Sequence, residues 1–558
     1  MPADAAGLIR RGIAAARRGL NREAARAFLA AAAAVPRATP ALVNLARLPG
    51  CPVPVTALLR RAARHAPGLP GPHDLLAKEA LDRGGDPRRA RQRLRLSAAL
   101  APGDAGLLYN LALAEMRCPA ILSAPSRLVR RSLRLRPGHA AAWTTLGTLY
   151  EGKGDRSAAA RCYMVATALA LAPPAAFANL AGILQRRGKE QAAIRLYRLA
   201  LTLAPGDPGI RANLSAAFFE AGMMDEALDQ AEAILQVDPG NRGALWTRSW
   251  VYLLRTDLEE GFRHYDVAWR QPNAAQRGPR LAPALWDGRP LPAGGKLVLW
   301  GESGVGDEVL GAGLVTEAAA RAAGPVILEC DPRFAGLFQR SFPGLEVAAR
   351  ASPAEPVASV QCSTLRLPLL FRRRKADFPA HRGYLVPDPA RVAEYRARFD
   401  ALGRPAVGLA WASSNPQTGG RKSIRLLDWG PLLAQRAIQF VSLQYGAVAE
   451  EIAALHRLGV GNLHPNPGPD VFQDLDGLAA QIAALDAVVS IAGVNAHLAG
   501  ALNRPAVVVV PYAPLWFWFD RGGRSPWYPS LRLVRQSHPT AGFAEAVRLA
   551  TRRLVSLF

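Results

Sequence analysis

The sequence predicts an α plus α/β protein. A solenoid of paired helices fills residues 1–270, a linker follows at 271–295, and two α/β lobes with parallel sheets occupy 296–386 and 387–558. Three observations predict this. Prolines that end apolar, Ala-rich segments recur at Pro36, Pro67, Pro102, Pro137, Pro173, Pro205 and Pro239, with spacings of 31, 35, 35, 36, 32 and 34 residues. A period near 34 is that of stacked helix hairpins. From Lys296 the texture changes to short apolar runs alternating with amphipathic stretches, the pattern of strands buried on both faces of a parallel sheet. Half of the 558 residues are hydrophobic and only 20% charged, which excludes intrinsic disorder and provides for several cores.

Within the first half, Trp143, Leu146, Gly147, Tyr150, Ala159, Tyr163 and Ala166 set a register of large, small and aromatic positions. Phe177, Leu180, Ala181, Leu184, Ala193, Tyr197, Ala200 and Pro205 repeat it, as do Leu214, Phe218, Ala227 and Pro239. Small residues let the two helices of a hairpin approach, aromatics fill the gap to the next hairpin, and Gly154-Asp155 and Gly188-Lys189 mark the turns. This register resembles the tetratricopeptide repeat (TPR), specifically in 107–240 and with weaker matches before Pro102. A TPR solenoid implies a groove for an extended peptide or a partner helix; a purely architectural role is the other reading. Asn110, Asn179 and Asn213, on the first helices, are candidates to clamp a peptide backbone or ordinary polar positions.

The formal charge is +25, but only six of the 69 basic residues are Lys, and Arg, Ala, Gly and Pro are all abundant, as a GC-rich genome produces without selection. Residues 1–200 carry 32 Lys/Arg against 11 Asp/Glu, a net +21, while 201–558 carry 37 against 33, a net +4. The repeats therefore favour an acidic protein partner. Nucleic-acid binding is not expected, since the basic third carries no aromatic or motif support for it.

Five scattered cysteines, without a CxxC pair, argue against disulfides and a zinc site and fit a cytoplasmic protein. Arg10, Arg11, Arg17 and Arg18 interrupt any signal-peptide core. Cys162–Gln185 lacks charge, yet Pro173-Pro174 divides it into two helices, so no membrane span is expected.

The stretch 271–295, rich in Pro, Gly and Arg, reads as a linker. Beyond it, strands are expected at 296–300, 325–329, 406–411, 438–443, 487–491 and 506–510. Helices are expected near 307–323, 333–340, 428–436, 447–458, 476–485 and 495–503. Two Rossmann-like lobes with a cleft between them follow.

Three signals bear on chemistry. WGESGVGDE (300–308) is a strand end, a turn with Gly301, Gly304 and Gly306, and a helix start, which exposes N–H groups to an anion or a sugar hydroxyl. Its GxxGxG spacing departs from the dinucleotide GxGxxG, although Glu329 and Asp331 follow the next strand. Asp307 is either a favourable helix N-terminal charge or a catalytic base. The polar loop 411–425 ends in Arg421, Lys422 and Arg425, either closing over a diphosphate or merely solvated. SIAGVNAHLAGALNRP (490–505) runs from a buried strand into a small-residue helix whose first turn holds His497, where the dipole favours neutral imidazole.

WGESGVGDE, FVSLQYG (440–446), the AALDAVVS and AHLAGALNRP tracts and SPWYP (525–529) with RLVRQ resemble bacterial TPR proteins whose C-terminal half is similar to the family nine glycosyltransferases, the heptosyltransferase group. That resemblance implies a GT-B-like pair of lobes and inverting, metal-independent transfer of a sugar from a nucleotide-sugar donor, with no cofactor. The first lobe would face the acceptor and the second the donor. It implies Asp307, with Gly304 and Gly306, as the site of the base that deprotonates the acceptor, and Arg421 and Lys422 as cations on the donor phosphates. His497 matches the histidine of the family's Asp-Thr-x-x-x-His-Leu segment. Ala492-Gly493 replaces that Asp-Thr, leaving Asn495 as the nearby polar substitute. A non-catalytic pseudo-transferase acting as a TPR scaffold is the alternative. The run Trp516–Phe519 is expected in the core or stacked on a base or sugar ring.

Overall fold

Among the described residues, helices pair along the chain from Ala3–Arg17 with Asn21–Ala34 to Arg242–Leu254 with Leu258–Trp269 in a computed structural model of the chain. It describes residues 3–117, 124–270, 284–302, 304–350, 359–402, 405–415, 418–468, 470–539 and 541–558. Cys118, Ser303, Pro416-Gln417 and 271–283 of the expected linker lie outside the described residues. The chain divides into two compact units, Met1–Ile183 with Thr202–Ala204, and Leu184–Leu201 with Pro205–Phe558. The last repeats thus share a unit with the α/β half.

In the first unit the register does what its residue types require. Gly147 on Ala140–Glu151 faces the ring of Tyr163 on Arg156–Thr167, and a Cβ there would lie 2.4 Å from Tyr163 Cε1. Gly154, at φ +81°, makes the turn between these helices, a conformation that disfavours other residues. Asp155 then caps the second helix by accepting from the Ala158 N–H at 2.9 Å. Cys162–Gln185 spans parts of Arg156–Thr167 and Pro174–Arg186, and among the described residues no helix is long and apolar enough to cross a membrane. Asn110 is engaged, its amide donating to Asp74 at 2.8 Å.

In the second unit two wholly parallel sheets form. The first contains β1 (Ala284–Leu285), β2 (Leu297–Trp300), β3 (Val326–Cys330), β4 (Glu346–Ala349) and β5 (Val360–Ser363), in the order β1-β5-β2-β3-β4. The second contains β6 (Ala406–Ala410), β7 (Gln439–Ser442), β8 (Leu463–His464), β9 (Ala487–Ile491), β10 (Ala506–Val510) and β11 (Leu531–Arg535), in the order β11-β10-β9-β6-β7-β8. Strand order reverses at β2 in the first sheet and between β6 and β9 in the second. Such switch points open crevices at the carboxyl ends of strands. The strands of the second sheet bury Val407, Leu409, Val489, Val507 and Val509, and Ala544–Val555 covers them with Val547, Ala550 and Leu554.

Three expectations change. The 271–295 stretch is not only a linker, because Ala284–Leu285 pairs with Val360–Gln361 and Trp286 is buried. Arg366, buried after β5, binds Asp266 of the last repeat helix and donates to the Trp286 carbonyl at 2.8 Å. The helix expected at 307–323 is two, Val305–Ala312 and Val315–Ala322, parted where Gly313 lies under the Tyr384 ring. The helix expected at 428–436 shrinks to Gly430–Leu433.

Candidate functional site

Both switch points open onto one cavity of about 1020 Å3. The turn after β2 supplies Glu302, Gly304, Gly306 and Asp307, the loop after β6 supplies Ser413, Ser414 and Lys422, and the segment after β9 supplies Ala492, Gly493, Asn495 and His497. Four residues singled out from sequence for chemistry, Asp307, Lys422, Asn495 and His497, thus share one space.

Asp307 is the third residue of Val305–Ala312, and its Oδ2 accepts the Gly304 N–H at 3.0 Å. Burial raises its pKa to about 6, against the Gly304 hydrogen bond and with a contribution from the Glu302 charge. Gly304 needs no glycine for space, since a Cβ there would come no nearer than 3.6 Å to Asp307. Gly306 does, because a Cβ would stand 3.0 Å from His497 Cδ2 and 3.5 Å from Nε2. The acidic neighbour Glu308 is structural, buried and bonded to Arg350 and to the Asp331 N–H at 2.8 Å. Asp331 itself pairs with Arg333 at 2.8 Å and Glu329 with Arg350 at 3.6 Å, so neither is poised for a cofactor ribose.

His497 is buried, and burial pushes it down to about 3, further than a dipole argument alone requires, with Lys422 adding to the effect. The surrounding donors fix its tautomer. Tyr384 Oη donates to the Val309 carbonyl at 2.6 Å, and Tyr528 and Tyr384 are hydrogen-bonded to each other, which leaves the Tyr528 hydroxyl proton for Tyr384. The His497 Nδ1–H therefore donates to Tyr528 Oη, 2.9 Å away, and Nε2 is a bare acceptor.

Asn495 sits in the first turn of Val494–Ala501, 5% exposed, with its Oδ1 unpartnered. Lys422 is partly buried on the short turn Gly419–Lys422, and desolvation lowers its proton affinity against the pull of Asp307. Arg421 points elsewhere. Its Nη1 lies 3.2 Å from Glu220 Oε1 on a repeat helix, and it lines a neighbouring cavity of about 340 Å3. Arg425 pairs with Asp428 at 2.8 Å. Among the described residues no group of three or more His, Cys, Asp and Glu side chains is placed to hold a metal.

The remaining wall went unread in the sequence. Trp246 and Trp250 of Arg242–Leu254 and Tyr265 and Trp269 of Leu258–Trp269 line the same cavity. Tyr265 Oη donates to Glu302 Oε1 at 2.5 Å, and Trp269 Nε1 donates to Oε2 at 2.9 Å. Leu515–Trp518 closes another side. Trp516, Phe517, Trp518 and Phe519 are all buried, with Phe517 and Trp518 at 5.1 and 5.0 Å from the His497 ring, so this run is core that also lines the cavity.

Residues 184–248 match the tetratricopeptide-repeat family model. That stretch carries tetratricopeptide repeats, as its register implied. The chain is 33% identical over 310 residues to FlbA of Caulobacter vibrioides, an overlap of 51% of this chain and 50% of FlbA. It thus spans about half the length of the curated relative it matches. Among solved structures, YrrB, described as a TPR protein with an unusual peptide-binding site, is 22% identical with a TM-score of 0.29, covering 32% of this chain and 93% of YrrB. PilF of Pseudomonas aeruginosa is 17% identical with a TM-score of 0.32, covering 36% and 89%. Yeast Tom70 is 13% identical with a TM-score of 0.33, covering 49% and 61%.

Proposed function

We propose that this chain is a GT-B-type glycosyltransferase that moves a sugar from a nucleotide-sugar donor to a protein acceptor recruited by its TPR array. The observation that carries the reading is the convergence of Asp307, Lys422 and Asn495 on one cavity at the switch points of two parallel sheets. Asp307, with a pKa of about 6, is a carboxylate at neutral pH and a stronger base than an exposed aspartate. It takes the proton of the acceptor hydroxyl, whose oxygen then attacks the anomeric carbon with inversion as the nucleoside diphosphate departs. Lys422 and the positive N-terminal end of Val494–Ala501 meet the phosphate charge that develops on departure. Asn495 takes over the polar role that Ala492-Gly493 lacks, and His497 offers Nε2 as a neutral acceptor.

The repeats bring the acceptor, and their basic excess selects an acidic segment of it. A cytoplasmic location suits the donor. Arg421 supports the reading less than Lys422 does, since Glu220 already neutralises it.

Transfer of radiolabelled sugar from a panel of nucleotide sugars to proteins captured by the full chain tests the proposal. Labelling of a captured protein by the wild type and not by Asp307→Ala is the expected result. Capture without labelling from any donor overturns the catalytic reading and favours a second one, a non-catalytic TPR scaffold, for which the absent Asp-Thr pair speaks.

A further inference from the structure

The cavity wall supplied by the repeats has a chemistry of its own. Glu302 is an acceptor-only group once ionised. Its two oxygens each receive one hydrogen bond from the last repeat helix, from Tyr265 and from Trp269, and each keeps further lone-pair capacity. A carboxylate fixed in this way can bind only donors, and adjacent hydroxyls of a ring present two donors at the spacing of its two oxygens. Beside it stand two indoles held in place by ring contacts. Trp246 meets Tyr265 edge-on at 4.7 Å and lies 6.2 Å from Trp250, which Phe219 backs at 5.7 Å. Apolar ring faces beside a fixed acceptor suit a sugar, which has a C–H face and a rim of hydroxyls.

Position selects which part of a nucleotide sugar this wall meets. Glu302 shares the β2 turn with Asp307, close enough for its charge to act on that residue. The base takes the acceptor proton within bonding reach of the anomeric carbon, so a ring against this wall lies at the point of transfer, and we assign it to the transferred sugar. Phosphates lie toward Lys422, with the nucleobase beyond them.

We propose that Glu302, Trp246 and Trp250 form a sugar subsite in which the carboxylate, clamped by Tyr265 and Trp269, accepts hydroxyl hydrogens of the hexose while the indoles pack on its ring. The subsite rests on the reading of this cavity as a nucleotide-sugar site. It makes the last helix hairpin, Arg242–Leu254 with Leu258–Trp269, part of the donor site as well as of the repeat array.

Calorimetric titration of the full chain with UDP, GDP, ADP and dTDP, and with their glucose conjugates, tests it. The expected result is that one diphosphate and its conjugate bind the wild type. Glu302→Gln and Trp250→Leu should then weaken the conjugate at least tenfold while changing the diphosphate less than twofold. Trp269→Phe, which keeps a ring and removes one donor to Glu302, should weaken the conjugate alone to a smaller degree and guards against a folding artefact. Equal losses for conjugate and diphosphate, no loss in either, or a wild type that binds a diphosphate and none of the conjugates each overturn the subsite. A wild type that binds neither class overturns the glycosyltransferase reading itself.

Discussion

Asp307 is held between opposing influences. Burial and the Glu302 charge disfavour its ionised form, and the Gly304 N–H favours it, with the balance near 6. Two consequences differ in sign. A carboxylate whose folded pKa lies above its ordinary value of 3.8 costs the fold stability as pH rises from that value to about 6, and the cost stays constant above. Asp307→Asn should therefore raise Tm at pH 8 relative to wild type and lose that advantage at pH 4, which differential scanning calorimetry checks. Transfer needs the ionised form, so the wild-type rate should fall as pH drops below about 6, and Asp307→Asn should lower it by about 10²–10⁴ at pH 7.5. His497 behaves differently. Pushed down to about 3, it stays neutral through the physiological range, and its ring carbon shifts should be flat by NMR from pH 5 to 8. A titration near 6.5 would contradict the depression that burial imposes on this imidazole. Asp307, Lys422, Asn495 and His497 were legible from sequence because each follows a strand end or opens a helix. Glu302, Trp246, Trp250, Tyr265 and Trp269 were not, because aromatics at repeat spacing read as repeat core, and only packing shows which of them face the cavity.

Helices and strands were legible to the extent that their pattern is local. The six expected strands are apolar runs whose observed spans agree to about one residue, whereas β1, β4, β5, β8 and β11 have two to five residues and many are polar or half-exposed. Their pairing partners, not their own patterning, make them strands. The break at Gly313 falls where the Tyr384 ring, 71 positions away, leaves no room for a Cβ, a contact that local patterning does not announce. Two element-scale outcomes follow from close contacts. Gly147→Val drives a Cβ and its two methyls into the Tyr163 ring, costing about 1–3 kcal/mol, and hydrogen exchange should quicken in Ala140–Glu151 and Arg156–Thr167. Asp266→Ala leaves the Arg366 guanidinium buried with its charge uncompensated. The loss should be about 3–5 kcal/mol by denaturant melting, and replacing both residues should cost less than the single change.

For the whole molecule, the proline period announced the repeats and the texture change at Lys296 announced the sheets. Where the compact units divide was not legible, since repeat patterning continues unchanged through Ile183 and Leu184. The charge asymmetry has its own consequence. A partner held by the basic repeats of residues 1–200 should be released between 50 and 500 mM NaCl, as screening shortens the reach of exposed charge. Salt-insensitive capture would point to apolar docking instead. The central claim, that the cavity at the two switch points is a nucleotide-sugar site, is tested most directly by ligand-induced stabilisation of the full chain. A nucleotide sugar at 100 times its Kd should add about 2.7 kcal/mol and raise Tm by several degrees, and Lys422→Ala should abolish the shift. No shift with any nucleotide sugar, or an undiminished shift in Lys422→Ala, would contradict it.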